Sequence, residues 1–334
     1  MRVDCQMSDN LSFNMPEFAI TFADVLSAAE RLRGTVNVTP VHTSRTLNDQ
    51  TGREVFFKCE NFQRTGSFKF RGAYNAINRL TAPQLHKGIV TFSSGNHGQA
   101  VALAAKLHHA PAVIVAPSDA TPNKLEAMRG YGAEVVIYDR LREDRVAIGQ
   151  RIALERNMTV VPPFDHPHVM AGQGTLVLEW LAQVPDLDSI VIPIGGGGLI
   201  AGCAIAAKGL NPNIRVFGVE TEGADDTKQS LIKGERVKIP PPTTIADGIR
   251  TQTPGDLTFP VVQALVEDVA VVSDDDVMMA LHFLLLRMRL VSEATGAVTL
   301  AALLANKLPH DCKRIGLLLC GGNIDPVLLT KIAT

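Results

Sequence analysis

Residues 189–202 read SIVIPIGGGGLIAG. The stretch divides into an apolar run (Ser189–Ile194), four successive glycines (Gly195–Gly198) and a second apolar segment from Leu199. The wider window Ile190–Ala207 is 18 residues without a charge, which on length alone would suit a membrane span. Pro193 and the glycine run argue against that, since each glycine disfavours helix by about 1 kcal/mol relative to alanine. The stretch reads as a buried strand, a glycine loop and a helix that runs to Leu210. That is the βα half of a parallel-sheet unit.

The same alternation extends outward. Upstream, Ile89–Phe92, Ala112–Ala116, Glu134–Tyr138 and Thr159–Val161 read as strands. Gln99–Leu107, Asn123–Tyr131, Asp144–Asn157 and Gln173–Leu181 read as helices between and after them. Downstream, Arg215–Glu220, Val269–Val272 and Ile315–Leu319 read as strands. A long helix, capped by Asp274, is expected over 277–291, and another over Gly296–Leu308. Gly234–Pro260, with Pro240, Pro241, Pro242, Pro254 and Pro260, has no periodic pattern and reads as a functional loop. Short strands alternating with longer helices imply an α/β protein with parallel sheets.

Composition narrows the function classes. The chain has 334 residues, 46% hydrophobic and 20% charged, enough for about two domains with real cores. The 32 basic and 34 acidic residues leave a net charge of −2, without the basic excess expected of a nucleic-acid binder. Aromatic residues are 5%, too few for base-stacking platforms. Cys5, Cys59, Cys203, Cys312 and Cys320 are odd in number and widely spaced, as expected of reduced thiols in a cytoplasmic protein. The first 20 residues carry Asp4, Asp9 and Glu17 and no compact apolar run, so no signal peptide is expected there.

In open parallel sheets, ligands bind beyond the carboxyl ends of strands. Ser93–Gly98, Gly195–Gly198 and Cys320–Asn323 occupy such positions, and Thr65–Ala73 (TGSFKFRGA) precedes a helix. Glycines followed by a helix start can cradle a phosphate on backbone N–H groups. Tight packing is a second reading of the loop. A dinucleotide site is a third, because Gly196, Gly198 and Ala201 fit G-x-G-x-x-A and Glu220 follows 19 residues later. Lys69 tips the balance: Phe68 and Phe70 flank it with apolar bulk, which can lower an amine's pKa and make it a nucleophile toward an aldehyde. A phosphate cradle with a nucleophilic lysine points to pyridoxal phosphate.

Five motifs occur in order: TGSFKFRGA (Thr65–Ala73), SSGNHGQA (Ser93–Ala100), GQGT (Gly172–Thr175), GGGGLIAG (Gly195–Gly202) and CGGNID (Cys320–Asp325). Together they resemble the fold-type II pyridoxal phosphate enzymes, specifically the serine/threonine dehydratase and serine racemase family. The resemblance runs from about Thr21 to Asp325. It implies a tryptophan-synthase-β-like α/β fold: two open, twisted, mostly parallel sheets flanked by helices. Residues 1–86 and 167–334 would form a large cofactor-binding domain and 87–166 a small one. With the motifs ending at Asp325, no C-terminal regulatory domain is expected.

The resemblance also implies roles. Lys69 would bond the cofactor aldehyde and then remove the substrate α-proton, while Ser94 would exchange a proton on the opposite face. Gly195, Gly196, Gly197 and Gly198 would hold the phosphate, Phe68 would pack near the ring, and Asn96 would bond the ring hydroxyl. Cys320 would meet the pyridine nitrogen, where many relatives carry serine. A neutral partner there makes the ring a weaker electron sink and favours β-elimination over transamination. Ser93, Ser94, Asn96 and His97 would hold the substrate α-carboxylate, and Arg145 would meet a distal carboxylate, as in a hydroxyaspartate; Thr251, in the proline-rich loop, is read as a further substrate contact. Glu220, the carbonyl of Ala224, and Asp226 keep a spacing that suits Mg²⁺ or Ca²⁺.

The implied activity is conversion of a 3-hydroxy-L-amino acid to a 2-oxo acid and ammonia by a cytoplasmic homodimer. Serine, threonine, threo-3-hydroxyaspartate and phenylserine are the candidate substrates. Amino-acid racemisation is the alternative within the class, and a dinucleotide-dependent oxidoreductase the alternative outside it.

Overall fold

A computed structural model describes residues 18–93 and 95–333. Asp4, Cys5, Asp9, Glu17 and Ser94 lie outside the described residues. Ten strands are present among the described residues: β1 (Val41–Thr43), β2 (Glu54–Cys59), β3 (Ile89–Phe92), β4 (Ala112–Pro117), β5 (Glu134–Tyr138), β6 (Thr159–Val160), β7 (Ser189–Pro193), β8 (Arg215–Thr221), β9 (Asp268–Val272) and β10 (Arg314–Leu319). They form two sheets. The larger has the order β1-β2-β10-β7-β8-β9, parallel throughout except for the β1–β2 pair. The smaller has the order β5-β4-β3-β6 and is parallel throughout.

Burial explains why the strands read as continuous apolar runs. Every residue of β3, β4 and β7 is buried, as parallel sheets covered by helices on both faces require. Because β2, β10, β7, β8 and β9 run in one direction, their carboxyl ends, Cys59, Leu319, Pro193, Thr221 and Val272, share one edge. The loops that leave this edge build the site.

Helix boundaries follow local capping more than periodicity. The helix expected from Gln173 starts at Pro167, where the His166 ring caps it by accepting from the His168 N–H at 3.2 Å. The Asp274 cap and the 277–291 helix are corrected. Ser273 is the cap, its hydroxyl accepting from the Asp276 N–H at 3.1 Å. The Asp274 carboxylate turns instead to the proline-rich loop, accepting from Thr244 Oγ1 at 2.5 Å and the Ile245 N–H at 3.1 Å. This helix ends at Phe283, widens into a π-turn over Leu284–Met288, and closes at Arg289 with φ 57°. The helix expected at Gly296–Leu308 spans Ala294–Leu304.

A buried ion cluster joins four elements: β2, the 3-10 turn Glu60–Phe62, and the helices Lys69–Asn78 and Pro167–Gln183. Arg71, on the helix Lys69–Asn78, is fully buried. Its guanidinium donates to both Glu60 oxygens at 2.8 Å and to both Glu179 oxygens at 2.7 and 2.9 Å. Lys58, also fully buried, donates to Glu179 at 3.0 Å and to the Thr39 carbonyl at 2.9 Å. Two cations thus face two carboxylates, and Thr39 Oγ1 donates to Glu60 at 2.6 Å. The helices Lys69–Asn78 and Pro167–Gln183 cross backbone to backbone here: a Cβ at Gly172 would lie 2.7 Å from the Arg71 carbonyl oxygen.

Removing one member leaves a buried charge without its partner, which costs about 3–5 kcal/mol. Arg71→Met is therefore expected to lower the free energy of unfolding by about that amount, read from a denaturant titration. Burial opposes the charge of Glu60, and Arg71 more than offsets it, so its pKa is held below the usual value of 4.5. The stability it contributes is complete above that value and is lost as pH falls through the folded pKa. An Arg71→Met variant with wild-type stability and acid sensitivity would contradict this account of the cluster.

Candidate active site

The chain leaves β2 at Cys59, turns through two short 3-10 segments, and begins the Lys69 helix. This approach is stitched to the end of β10. The Phe68 N–H donates to the Cys320 carbonyl at 3.0 Å, and the Gly322 N–H donates to the Gly66 carbonyl at 2.9 Å. Lys69 and Cys320 therefore face one cavity of about 690 Å³ between the two sheets.

The Lys69 amine donates to the Pro163 carbonyl at 2.8 Å. Burial lowers its pKa from 10.5 to about 8, against the opposing influence of Cys320 and Glu293. Only one of the two expected phenylalanines contributes. The Phe68 ring lies 5.1 Å from the amine. Phe70 turns into a separate core with Ala73 and Ile77 and packs on Tyr74, because residues adjacent along a helix do not share a face. Cys320 is buried, and burial raises its thiol pKa well above the usual value, so the group stays neutral.

The glycine loop lines the same cavity, at the start of the helix Gly198–Leu210. Gly197 has φ +88°, a conformation that side chains disfavour, and a Cβ at Gly196 would lie 2.3 Å from the Phe164 ring. Thr258 Oγ1 donates to the Gly196 carbonyl at 2.7 Å and fixes the loop from behind. The backbone is thus left as the lining, next to a helix N-terminus, which suits an anion. The dinucleotide reading fails at its acid. Glu220 turns away from this loop, accepting from the N–H groups of Thr227 and Lys228 at 3.0 and 2.8 Å.

Asn96 opens the helix Asn96–Leu107 and is held at both ends of its amide. Its Nδ2 donates to Glu293 at 2.7 Å, and its Oδ1 accepts from Asn323 Nδ2 at 2.8 Å. Asn323 also donates to the Thr65 carbonyl at 2.8 Å. Glu293 is buried, and burial and then Asp247 raise its pKa well above the carboxyl range. Ser93 lines the cavity and accepts from the Gly95 N–H at 3.3 Å. His97 also lines it. Burial and the charge of Lys69 push its pKa down to about 3. Its Nε2 lies 3.0 Å from the Val161 carbonyl, so Nε2 carries the proton and Nδ1 is an acceptor. An acceptor cannot bind a carboxylate, so His97 can do so only through its main-chain N–H in the first helical turn.

Arg145 and Thr251 line the cavity too, Arg145 at its exposed rim and Thr251 half-buried. The third expected group lies apart from the cavity. Glu220, Ala224 and Asp226 are fully buried. Burial, then Asp226, raises Glu220 to about 8, and burial raises Asp226 to about 7. Asp226 Oδ1 accepts from Thr251 Oγ1 at 3.4 Å, and Oδ2 has no partner among the described residues.

A lysine that can shed its proton near neutral pH, set across one cavity from a cradle for a phosphate, can hold an aldehyde cofactor at both ends. That is the arrangement of an α/β enzyme built around such a cofactor. The sequence pattern of the family described as "Pyridoxal-phosphate dependent enzyme" matches residues 32–321, and the chain belongs to that family. It is 48% identical over 305 residues to an L-threo-3-hydroxyaspartate ammonia-lyase of Saccharomyces cerevisiae, covering 91% of this chain and 94% of that one. It is 47% identical to a serine racemase of Schizosaccharomyces pombe, covering 96% and 97%. The solved structure of maize serine racemase superposes with a TM-score of 0.91 at 42% identity, covering 94% of this chain and 97% of that one.

Several site residues escape a reading of the sequence. Asn323 lies inside a recognised motif, but only the fold reveals its bond to Asn96. Glu293, Phe164 and Thr258 lie in no motif and reach the site through tertiary packing alone.

Proposed function

We propose that the chain is a pyridoxal phosphate-dependent ammonia-lyase that converts a 3-hydroxy-L-amino acid, of the threo-3-hydroxyaspartate, threonine or serine type, to a 2-oxo acid and ammonia. The supporting observation is the neutral Cys320 thiol facing the same cavity as Lys69, at the place a ring nitrogen takes by family resemblance. The cofactor, when bound, supplies an electron-withdrawing ring to the substrate α-carbon. With a neutral partner on its nitrogen that withdrawal is modest, which favours expulsion of the β-hydroxyl over transamination.

The chain's own residues do the rest. Lys69, neutral above about pH 8, holds the cofactor and then takes the α-proton. Gly195–Gly198 would hold the phosphate, Phe68 would pack near the ring, and Asn96, anchored to Glu293 and Asn323, would offer its remaining N–H to the ring hydroxyl. Ser93 and the first turn of the Asn96 helix, with the main-chain N–H of His97, hold the α-carboxylate. The hydroxyl leaves as water, and the released enamine takes one water back as it yields ammonia. Arg145 and Thr251 complete the substrate site. Residues 87–166, which carry the whole smaller sheet, form the domain that closes on the remainder, 1–86 with 167–334. A cytoplasmic homodimer is the proposed form, in keeping with four buried free cysteines among the described residues.

Racemisation is the second reading, favoured by the 47% identity to a serine racemase. Ser94, next to Ser93, is the proposed proton carrier for the second face. A panel of 3-hydroxy amino acids assayed for 2-oxo acid, with D-serine measured in parallel, separates the two. Keto acid release is expected to dominate, and equal or greater D-serine yield would reverse the order. Arg145→Ala is expected to reduce turnover of threo-3-hydroxyaspartate more than that of threonine, and equal losses would remove Arg145 from the distal carboxylate.

We also propose that Glu220, the Ala224 carbonyl and Asp226 hold a divalent cation, Mg²⁺ or Ca²⁺, with a stabilising role. Two adjacent buried carboxylates and an unpartnered Asp226 oxygen support this, since hard cations take such oxygens. At a hundredfold excess over its Kd, the cation should add about 2.7 kcal/mol. EDTA should therefore lower Tm and Mg²⁺ or Ca²⁺ should restore it. A Tm indifferent to both would remove the cation from this site.

A further inference from the structure

Lys124 lies on the helix Pro122–Gly130, which follows β4 of the smaller sheet. Asp247 begins the short turn Asp247–Ile249 within the proline-rich loop. Their side chains line the cavity and meet at 2.7 Å, across a separation of 123 residues in sequence.

The pair is lopsided. The Lys124 side chain is 15% exposed and that of Asp247 is 44% exposed. The lysine is the more buried member and the carboxylate the wetter one. The turn under Asp247 is anchored independently, by its own N–H to the Ile245 carbonyl at 2.9 Å and by the Gly248 N–H to Thr295 Oγ1 at 2.9 Å. The acid can leave Lys124 while its backbone stays in place. Burial works against the charge of Lys124, but Asp247, with Glu293 and Asp325 behind it, holds the amine protonated. The position therefore demands a carboxylate without specifying whose.

Three arginines of the cavity differ. Arg140 is paired with Asp119 at 2.8 Å, both at the surface, Arg145 lies at the exposed rim, and Arg250, also exposed, donates to the Thr244 carbonyl at 2.8 Å. Lys124 combines partial burial, a lining position and a partner able to return to water.

We propose that Lys124 is a specificity residue for a second carboxylate, acting from inside the cavity while Arg145 acts from the rim: a dicarboxylic amino acid displaces Asp247 from Lys124 and takes over the ion pair. The substrate part rests on the 3-hydroxyaspartate reading above. The exchange swaps one carboxylate for another, so the half-buried amine is never left unpaired. An amino acid with an uncharged side chain leaves Lys124 with Asp247 and gains nothing there.

The test uses holoenzyme and two amino acids that lack a β-leaving group, L-aspartate and L-2-aminobutyrate, with binding followed by calorimetry. Neither can undergo the elimination, so the outcome is independent of the keto acid panel. L-Aspartate is expected to bind more tightly to the wild type. Lys124→Met should weaken L-aspartate about threefold or more, less than the roughly tenfold of one whole charge-assisted contact because Asp247 gives up the same pair, and leave L-2-aminobutyrate within about 1.5-fold. Asp247→Asn should tighten L-aspartate alone. Equal losses for both ligands in Lys124→Met, no loss for either, or weaker L-aspartate binding in Asp247→Asn would each overturn the proposal.

Discussion

The buried cluster of Arg71, Glu60, Glu179 and Lys58 is the constraint on which the site depends. Arg71 lies two residues beyond Lys69 on the same helix and is held by four hydrogen bonds to two carboxylates on different elements. A fully buried guanidinium tolerates little displacement, because movement strands a charge away from water. The first turn of the helix is therefore fixed against β2 and the helix Pro167–Gln183, and Lys69 is presented at the cavity rather than free to roam. Backbone bonds from Phe68 and Gly66 to the end of β10 complete the arrangement and set Cys320 opposite the amine.

Within the cavity the charges balance through neutrality. Cys320 stays a thiol, His97 stays uncharged, and burial drives Lys69 and Glu293 toward their neutral forms. A site so arranged leaves a bound cofactor's phosphate and a substrate carboxylate as its main anions. The proposed sites for both are main-chain N–H groups at helix starts, which do not titrate. The ionised groups include the Lys124–Asp247 pair in the lining and Arg145 at the rim.

Much of this was legible because it was local. The run from Ser189 to Gly202 announces strand, loop and helix in one continuous stretch, and all three form there. Glycine spacing announces the cradle, although it also suggests a dinucleotide site. Only the turn of Glu220 toward the helix Asp226–Lys233 separates the two. The illegible parts are contacts between distant segments. Asp274 has the chemistry of a helix cap, yet the hydroxyl of its neighbour Ser273 takes that place and the carboxylate reaches 30 residues back to Thr244. Phe70 is apolar and adjacent to Lys69, but helical geometry sends it to another core. Glu293 has no motif around it, and its 197-residue reach to Asn96 exists only once both sheets are assembled.

The central claim is that this framework presents Lys69, among all the lysines of the chain, to the cofactor aldehyde. Borohydride reduction of the holoenzyme followed by peptide mass mapping tests it directly. The account predicts a single pyridoxyl adduct, on the peptide containing Lys69. An adduct on Lys124 or Lys58, or no covalent adduct with cofactor bound, would contradict it.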